Sequence, residues 1–460
     1  MSDEYPYREV LSEASRRAHR YLEHAPSRSV FPTTQALSDL QQLGGPMPDA
    51  GEDPVSVLKL LDECGSPATV VSTGGRYFGF VVGGALPVTV GAHWLADAWD
   101  QNVCLYALSP VGAYLEEVVL GWIIDLLGFP SHSAGALVTG AQMANLTCLA
   151  AARHEVLRKA GWDVESHGLF GAPPITVVVG EEVHATVLKA LALLGLGKRR
   201  LVIVPTDAQG RMIANAIPPL DGPAIICTQA GNVNSGAFDP VSEISEIAHA
   251  SGAWVHVDGA FGLWAATSPQ RKHLTEGAGQ ADSWATDAHK WLNVPQDSGV
   301  AIVRYADALR AAMAISGAYL HPGEHREPMH WTPESSRRAR GIEIWAALRS
   351  LGRKGLADLI ERTCGHAAKA AARLKAAGFE VLNEVVLNQV VVSFGDEEAT
   401  QQVIRNVQAD GTCWCGGTVW RGRAAMRISV SSWATADEDM DRSLSAIIAI
   451  ARTSRKAYQA

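Results

Sequence analysis

Between about residues 130 and 305, short β-rich runs alternate with helical stretches, and this alternation leaves few architectures open. The runs are 175–179, 200–204, 223–227, 253–257 and 299–303, most of them rich in Val and Ile. The helical stretches are 142–160, 184–195 and 241–251. Strands separated by helices pair in parallel, and the helices cover both faces of the sheet. In such sheets ligands bind beyond the carboxyl ends of the strands. Ahead of this region, 109–128 opens on Ser109-Pro110, a cap followed by proline in the first turn. Apolar residues then recur at helical spacing through Leu115, Val118, Val119, Trp122, Ile123 and Leu126. After it the pattern changes. Helices are expected at 340–352, 356–377 and 437–452, and strands at 388–393 and 425–430, which makes a smaller α+β lobe from near residue 355. Residues 1–70 are polar and helical in character, with breaks at Pro26, Pro32 and Gly44 to Pro48.

The chain has 460 residues, 47% of them hydrophobic and 19% charged, which suits a globular enzyme with a large core. A net charge of −9 argues against a general nucleic-acid binder. The first residues, Met1-Ser2-Asp3-Glu4, are acidic and precede no apolar leader, and no apolar run approaches the roughly 20 residues of a membrane span. Seven scattered cysteines read as reduced thiols, so a cytoplasmic location is expected. Cys413 and Cys415 form C-x-C with no second pair nearby, a poor basis for a metal or redox centre.

Two short strings carry the chemistry. Asp258 closes Val255-His256-Val257-Asp258 at the carboxyl end of an expected strand. Lys290 lies in Asp287-Ala288-His289-Lys290-Trp291, in a loop before the next strand. Pyridoxal phosphate chemistry needs such a pair. The lysine amine condenses with the cofactor aldehyde, and the aspartate keeps the pyridine nitrogen protonated so that the ring can accept electrons. An isolated Asp/Lys pair would be read as surface charge, so the flanking strings matter. Val138-Thr139-Gly140-Ala141-Gln142 joins an apolar run to a helix, and small residues at a helix N-terminus admit a phosphate. His184 opens a helix, where its ring can stack on a pyridine or simply sit as a polar residue. The same choice applies to His289. Asn232, in the turn-rich loop 230–240, can face a cofactor or support the turn.

Taken in order, these strings resemble the group II pyridoxal phosphate-dependent amino-acid decarboxylases, the family of the aromatic-L-amino-acid, glutamate and histidine decarboxylases. The resemblance spans roughly residues 70–455 and includes Ser335 to Arg340 and Trp345 to Arg349. It implies an α/β fold of the fold-type I, aminotransferase-like class, with a mostly parallel large-domain sheet and a small α+β C-terminal domain. It also implies a homodimer with shared active sites, divided into an N-terminal helical segment 1–90 at the dimer interface, a large cofactor domain 91–355 and a small domain 356–460. By the resemblance, Lys290 carries the cofactor and Asp258 pairs with the ring nitrogen. Ala260 lies on one ring face and His184 on the other. Gly140, Ala141 and Gln142 hold the phosphate, helped by His289 and by Ser336 of the partner chain. Asp287 beside a phosphate would be costly, so orienting donors or contacting Lys290 suits it better.

Family members carry a loop tyrosine that protonates the substrate carbon once carbon dioxide has left, and Tyr319 falls in the matching place. A tyrosine that merely packs the loop is the bland alternative. Phenylalanine at this position goes with oxygen-using aldehyde synthases. The resemblance places Phe80, Val81, Val82, Asn102 and Cys104 at the substrate, an apolar or neutral set that suits a neutral, aromatic or apolar L-amino acid. His321, His325 and His330 share a proline-containing loop rather than a rigid ligand helix, so no metal is expected. Arg427 is expected to be structural. The competing readings are a transaminase, an aldehyde synthase, a carbon–carbon lyase, or a catalytically silent protein on the same fold.

Overall fold

Seven strands form the large sheet: β1 (Ala134–Val138), β2 (Thr176–Gly180), β3 (Val202–Val204), β4 (Ala224–Gln229), β5 (Trp254–Asp258), β6 (Ser283–Asp287) and β7 (Gly299–Val303). Their order is β1-β7-β6-β5-β4-β2-β3. This is a computed structural model, and it describes residues 7–315 and 325–459. Within the sheet β7 alone runs antiparallel to its neighbours β1 and β6, and the remaining pairings are parallel. Strands β4 to β7 are buried along their whole length, as a sheet covered on both faces requires. Helix Ala141–Lys159 packs on one face, with Ala144, Cys148, Leu149, Ala151 and Ala152 against Val177, Val179, Ile225 and Cys227. On the other face Val178, Ile226, Val255 and Val257 join Trp264, Trp284 and Trp291.

The expected helix at 109–128 runs over Pro110–Leu126, and the Ser109 side chain accepts from Gly112 N. The helices expected at 340–352 and 356–377 form one run, Gly341–Ala376, broken at Gly352 (φ 59°), a conformation glycine adopts at little cost. The C-terminal region holds an antiparallel sheet of β8 (Glu380–Val381), β9 (Gln389–Ser393), β10 (Gly416–Trp420) and β11 (Arg423–Ser429), in the order β10-β11-β9-β8. Helices Glu397–Asp410 and Asp437–Gln459 pack with it around Val390, Val392, Met426 and Ile428. Phe78 belongs to this same cluster, so the segment leaving the N-terminal helices is anchored in the C-terminal core. Among the described residues no helix is long and apolar enough to cross a membrane.

Candidate active site

Strands β1, β2, β4, β5 and β6 point the same way, so their carboxyl ends share one edge of the sheet. The segments leaving that edge line a cavity of about 230 Å³, which brings together Gly140, Ala141, Gln142, His184, Asp258, Ala260, Asp287, His289 and Lys290. All nine were expected at the site. Thr186, Gln229, Gly231, Val233 and Phe261 line it as well and were not expected there. Of these, Thr186 alone has a local signal, since it follows His184 by two positions at a helix start.

Asp258 ends β5 and is 6% exposed. Burial raises its pKa, and the charges of His184 and Lys290 oppose that rise. The carboxyl oxygen Oδ1 accepts from Ala260 N at 3.3 Å. Asp287 ends β6 and is more deeply buried. Its Oδ2 lies 3.0 Å from Lys290 Nζ. Its Oδ1 accepts from Ala141 N at 2.5 Å and lies 3.5 Å from His289 Nε2. Asp287 therefore binds the start of helix Ala141–Lys159 and pairs with the lysine at once. His289 Nδ1 accepts from Ser298 N at 3.0 Å, which leaves Nε2 to carry the ring proton, and burial lowers the pKa of this imidazole.

His184 caps helix Ala185–Leu193. Its Nδ1 lies 2.7 Å from Thr186 Oγ1 and accepts from Thr186 N. Burial lowers its pKa too, favouring the neutral ring that stacking on an aromatic cofactor calls for. Gly140 precedes Ala141 in extended backbone, where a Cβ would come within 3.2 Å of His289 Cε1 and 3.5 Å of Asp287 Oδ1. Gly299 is tighter still, since a Cβ there would lie 2.5 Å from the Gly140 backbone.

The remaining expected residues lie elsewhere. Asn232 Oδ1 accepts from Asn234 N and Ser235 N, so its side chain closes the 230–240 loop. Ser336 is exposed and accepts from Asn102 Nδ2 at 3.1 Å, away from this cavity. Val81 and Cys104 are buried and Val82 partly so, none of them lining the cavity. Phe80 is 64% exposed with φ 51°, and its ring stacks on Trp414 at 5.4 Å. The same segment still reaches the site, because Gly83 touches the carbonyl of Lys290, where a Cβ would sit 1.8 Å from the oxygen. Tyr319 and His321 lie outside the described residues. His325 stacks on Tyr106 at 3.7 Å. Among the described residues no three His, Cys, Asp or Glu side chains converge as a metal site.

Arg427, on β11, is half-buried and donates to Asn234 Oδ1 at 3.3 Å. Burial lowers its pKa, and among the described residues no carboxylate lies within ion-pair distance. Its charge acts on His184, which places it within electrostatic reach of the cavity.

The residues present fit pyridoxal phosphate. A glycine cradle opens at a helix N-terminus, an amine stands beside a buried carboxylate, and the Asn145 amide nitrogen near Asp258 is buried without a full hydrogen-bond partner. Comparison with known proteins agrees. The model of the pyridoxal-dependent decarboxylase conserved domain matches residues 52–394. The acidic amino acid decarboxylase GADL1 of Mus musculus is 27% identical over 330 residues, 69% of this chain but only 59% of the mouse protein. The match to the human GADL1 likewise spans 62% of that protein. The aromatic-L-amino-acid decarboxylase of Bacillus atrophaeus is 24% identical over 454 residues, 94% of this chain and 92% of the relative. Among solved structures, Oryza sativa TDC with PLP and tryptamine superposes with a TM-score of 0.90 at 21% identity, covering 98% of this chain and 99% of that one, a likeness of fold.

Proposed function

Because this chain belongs to the pyridoxal-dependent decarboxylase family, we propose that it removes carbon dioxide from an L-amino acid to leave the corresponding amine. The observation that carries this reading is the convergence of Lys290, Asp258 and His184 on one cavity beside the Gly140–Gln142 helix start. Pyridoxal phosphate, when bound, supplies an aldehyde for an amine and a protonated ring that accepts an electron pair. Lys290 would be the amine that holds the cofactor, and Asp287, 3.0 Å away, orients that amine. Asp258 is the partner for the ring nitrogen, and its burial strengthens any such pairing by excluding water. His184 would lie against one ring face and Ala260 against the other, since both line the cavity. Gly140, Ala141 and Gln142 take the phosphate, with His289 beside them. Tyr319 delivers the proton to the substrate carbon, which favours the amine over a transaminase or aldehyde-synthase outcome.

The protein acts as a cytoplasmic homodimer in this reading. Segment 1–90 forms the interface, residues 91–355 the large domain and residues 356–460 the small domain. The partner brings Ser336 towards the site, and the Phe80–Val82 and Asn102–Cys104 segments form the substrate pocket. Phe80 supports that arrangement, being exposed and held in a strained backbone, which is common at functional positions. The apolar character of these segments favours a neutral, aromatic or apolar substrate. A second reading, an acidic substrate, is favoured by Arg427, a half-buried cation with no carboxylate partner among the described residues.

A panel of L-amino acids assayed for carbon dioxide and amine together tests both. Stoichiometric amine and carbon dioxide from aromatic or apolar substrates is the expected result. Preference for aspartate or glutamate, lost in Arg427→Met, would replace it with the acidic reading. Keto acid or peroxide in place of amine would reject decarboxylation.

A further inference from the structure

Side chains alternate along a strand, so Trp254, His256 and Asp258 of β5 share one face, the face covered by helix Ala141–Lys159. His256, Asn145 and Ser283 are each 0% exposed there. Trp254 Nε1–H donates to Ser283 Oγ at 2.8 Å. His256 Nδ1 lies 2.9 Å from the same hydroxyl, and His256 Nε2 lies 2.8 Å from Asn145 Oδ1.

An indole nitrogen can only donate. Ser283 Oγ therefore receives the Trp254 proton; its second lone pair could also accept from His256 Nδ1, but the arrangement that turns an amide N–H towards Asp258 is the one in which the hydroxyl gives its own proton to His256 Nδ1. That leaves the ring proton on Nε2, from which it is donated to Asn145 Oδ1. The Asn145 NH2 group then faces away from His256. Its Nδ2 is buried with no hydrogen-bond partner within bonding distance among the described residues, and it approaches Asp258 closely enough to favour the ionised carboxyl. Burial pushes the His256 pKa down to about 3, so this ring is neutral and adds no charge of its own. What it adds is direction. With the amide reversed, an oxygen would face the carboxylate and repel it.

We propose that His256 and Asn145 are positioning residues for Asp258. The chain Trp254–Ser283–His256–Asn145 fixes the amide so that its N–H, and not its oxygen, meets the Asp258 carboxylate, which keeps its charge for a protonated ring nitrogen on the cavity side. The inference rests on Asp258 as the ring-nitrogen partner in the function proposed above.

Selective ¹⁵N labelling of histidine in the full-length protein reads the His256 tautomer and needs no variant. A neutral ring protonated at Nε2 is expected, and a ring protonated at Nδ1 or at both nitrogens overturns the proposal. Cofactor affinity gives a second readout. Pyridoxal phosphate and its 1-deaza analogue, which lacks the ring nitrogen, are titrated into wild-type and Asn145→Ala protein. The variant should bind pyridoxal phosphate at least roughly tenfold more weakly, the weight of a hydrogen bond to a charged group, while its affinity for the deaza analogue changes little. Equal losses for both compounds would make Asn145 a packing residue and overturn the proposal. His256→Gln, whose amide can still donate to Asn145, should recover most of the affinity that His256→Phe loses, and equal loss in the two would also overturn it. Wild-type protein that binds neither compound overturns the cofactor assignment, a result distinct from a failure of the chain alone.

Discussion

The cavity at the sheet edge and the surface around Phe80 and Arg427 are built on opposite terms. At the sheet edge, the charged groups have partners within one chain. Asp287 pairs with Lys290 and holds the helix start, and Asp258 has Ala260 N and the neighbouring charge of Lys290. Around Phe80, an aromatic ring is exposed on strained backbone, and the half-buried guanidinium of Arg427 has no carboxylate within ion-pair distance among the described residues. The first region is complete enough to hold chemistry. The second is unfinished in a single chain, as expected where a substrate or a second copy completes it.

The largest expected effect lies in the first region. Asp258→Asn should cost on the order of 10²–10³-fold in kcat/KM, because it removes the buried carboxylate proposed above as the partner of the ring nitrogen. A loss under tenfold would mean that this region is not where charge is stabilised. Next comes Gly299→Ala, whose Cβ would meet the Gly140 backbone at 2.5 Å. Overpacking of this kind costs about 1–3 kcal/mol and should widen the cradle, so lowered thermal stability and weaker cofactor retention should appear together.

Asp239 lies in the 230–240 loop, where it accepts from Met212 N and Gln229 N at 2.7 Å each. Burial raises its pKa from 3.8 to about 6. The folded state then holds a proton that the unfolded state has released, so this group's contribution to stability is greatest below pH 3.8 and falls as pH rises towards about 6. The fall should be on the order of 3 kcal/mol. Asp239→Asn should flatten that slope in melting curves taken across the window, whatever it does to absolute stability. An unchanged slope would mean that the loop does not bury an acid.

The smallest effect belongs to the second region. Phe80→Gly should raise stability by up to about 1 kcal/mol, since φ 51° suits glycine, and should lower activity towards aromatic substrates. A variant that loses stability and keeps activity would make Phe80 an ordinary packing residue and erase the contrast.

The same contrast decides what the sequence disclosed. Seven strands (β2 to β5, β7, β9 and β11) and most helices stand out because their apolar β-rich runs or 3.6-residue periods are local properties. Strand β6, Ser-Trp-Ala-Thr-Asp, does not, because its polar residues are buried by the surrounding sheet and by the site, and periodicity does not record that. The two-residue β8 and the glycine-led β10 carry too little pattern. The nine expected residues that line the cavity belong to strings next to strand ends and helix starts, where topology brings them together. Gln229, Val233 and Phe261 line it through tertiary packing alone. Asn232 shows the reverse. A polar residue in a turn has two possible roles, and here its side chain is taken up by the turn.

The most direct test is to reduce the cofactor-loaded protein with borohydride and map the modified residue by peptide mass spectrometry, beside a carbon dioxide assay of the same preparation. The account predicts one pyridoxyl group, on Lys290, in a preparation that releases carbon dioxide from an L-amino acid, with both signals lost in Lys290→Ala. Label on another lysine, or release of carbon dioxide that survives Lys290→Ala, would contradict it.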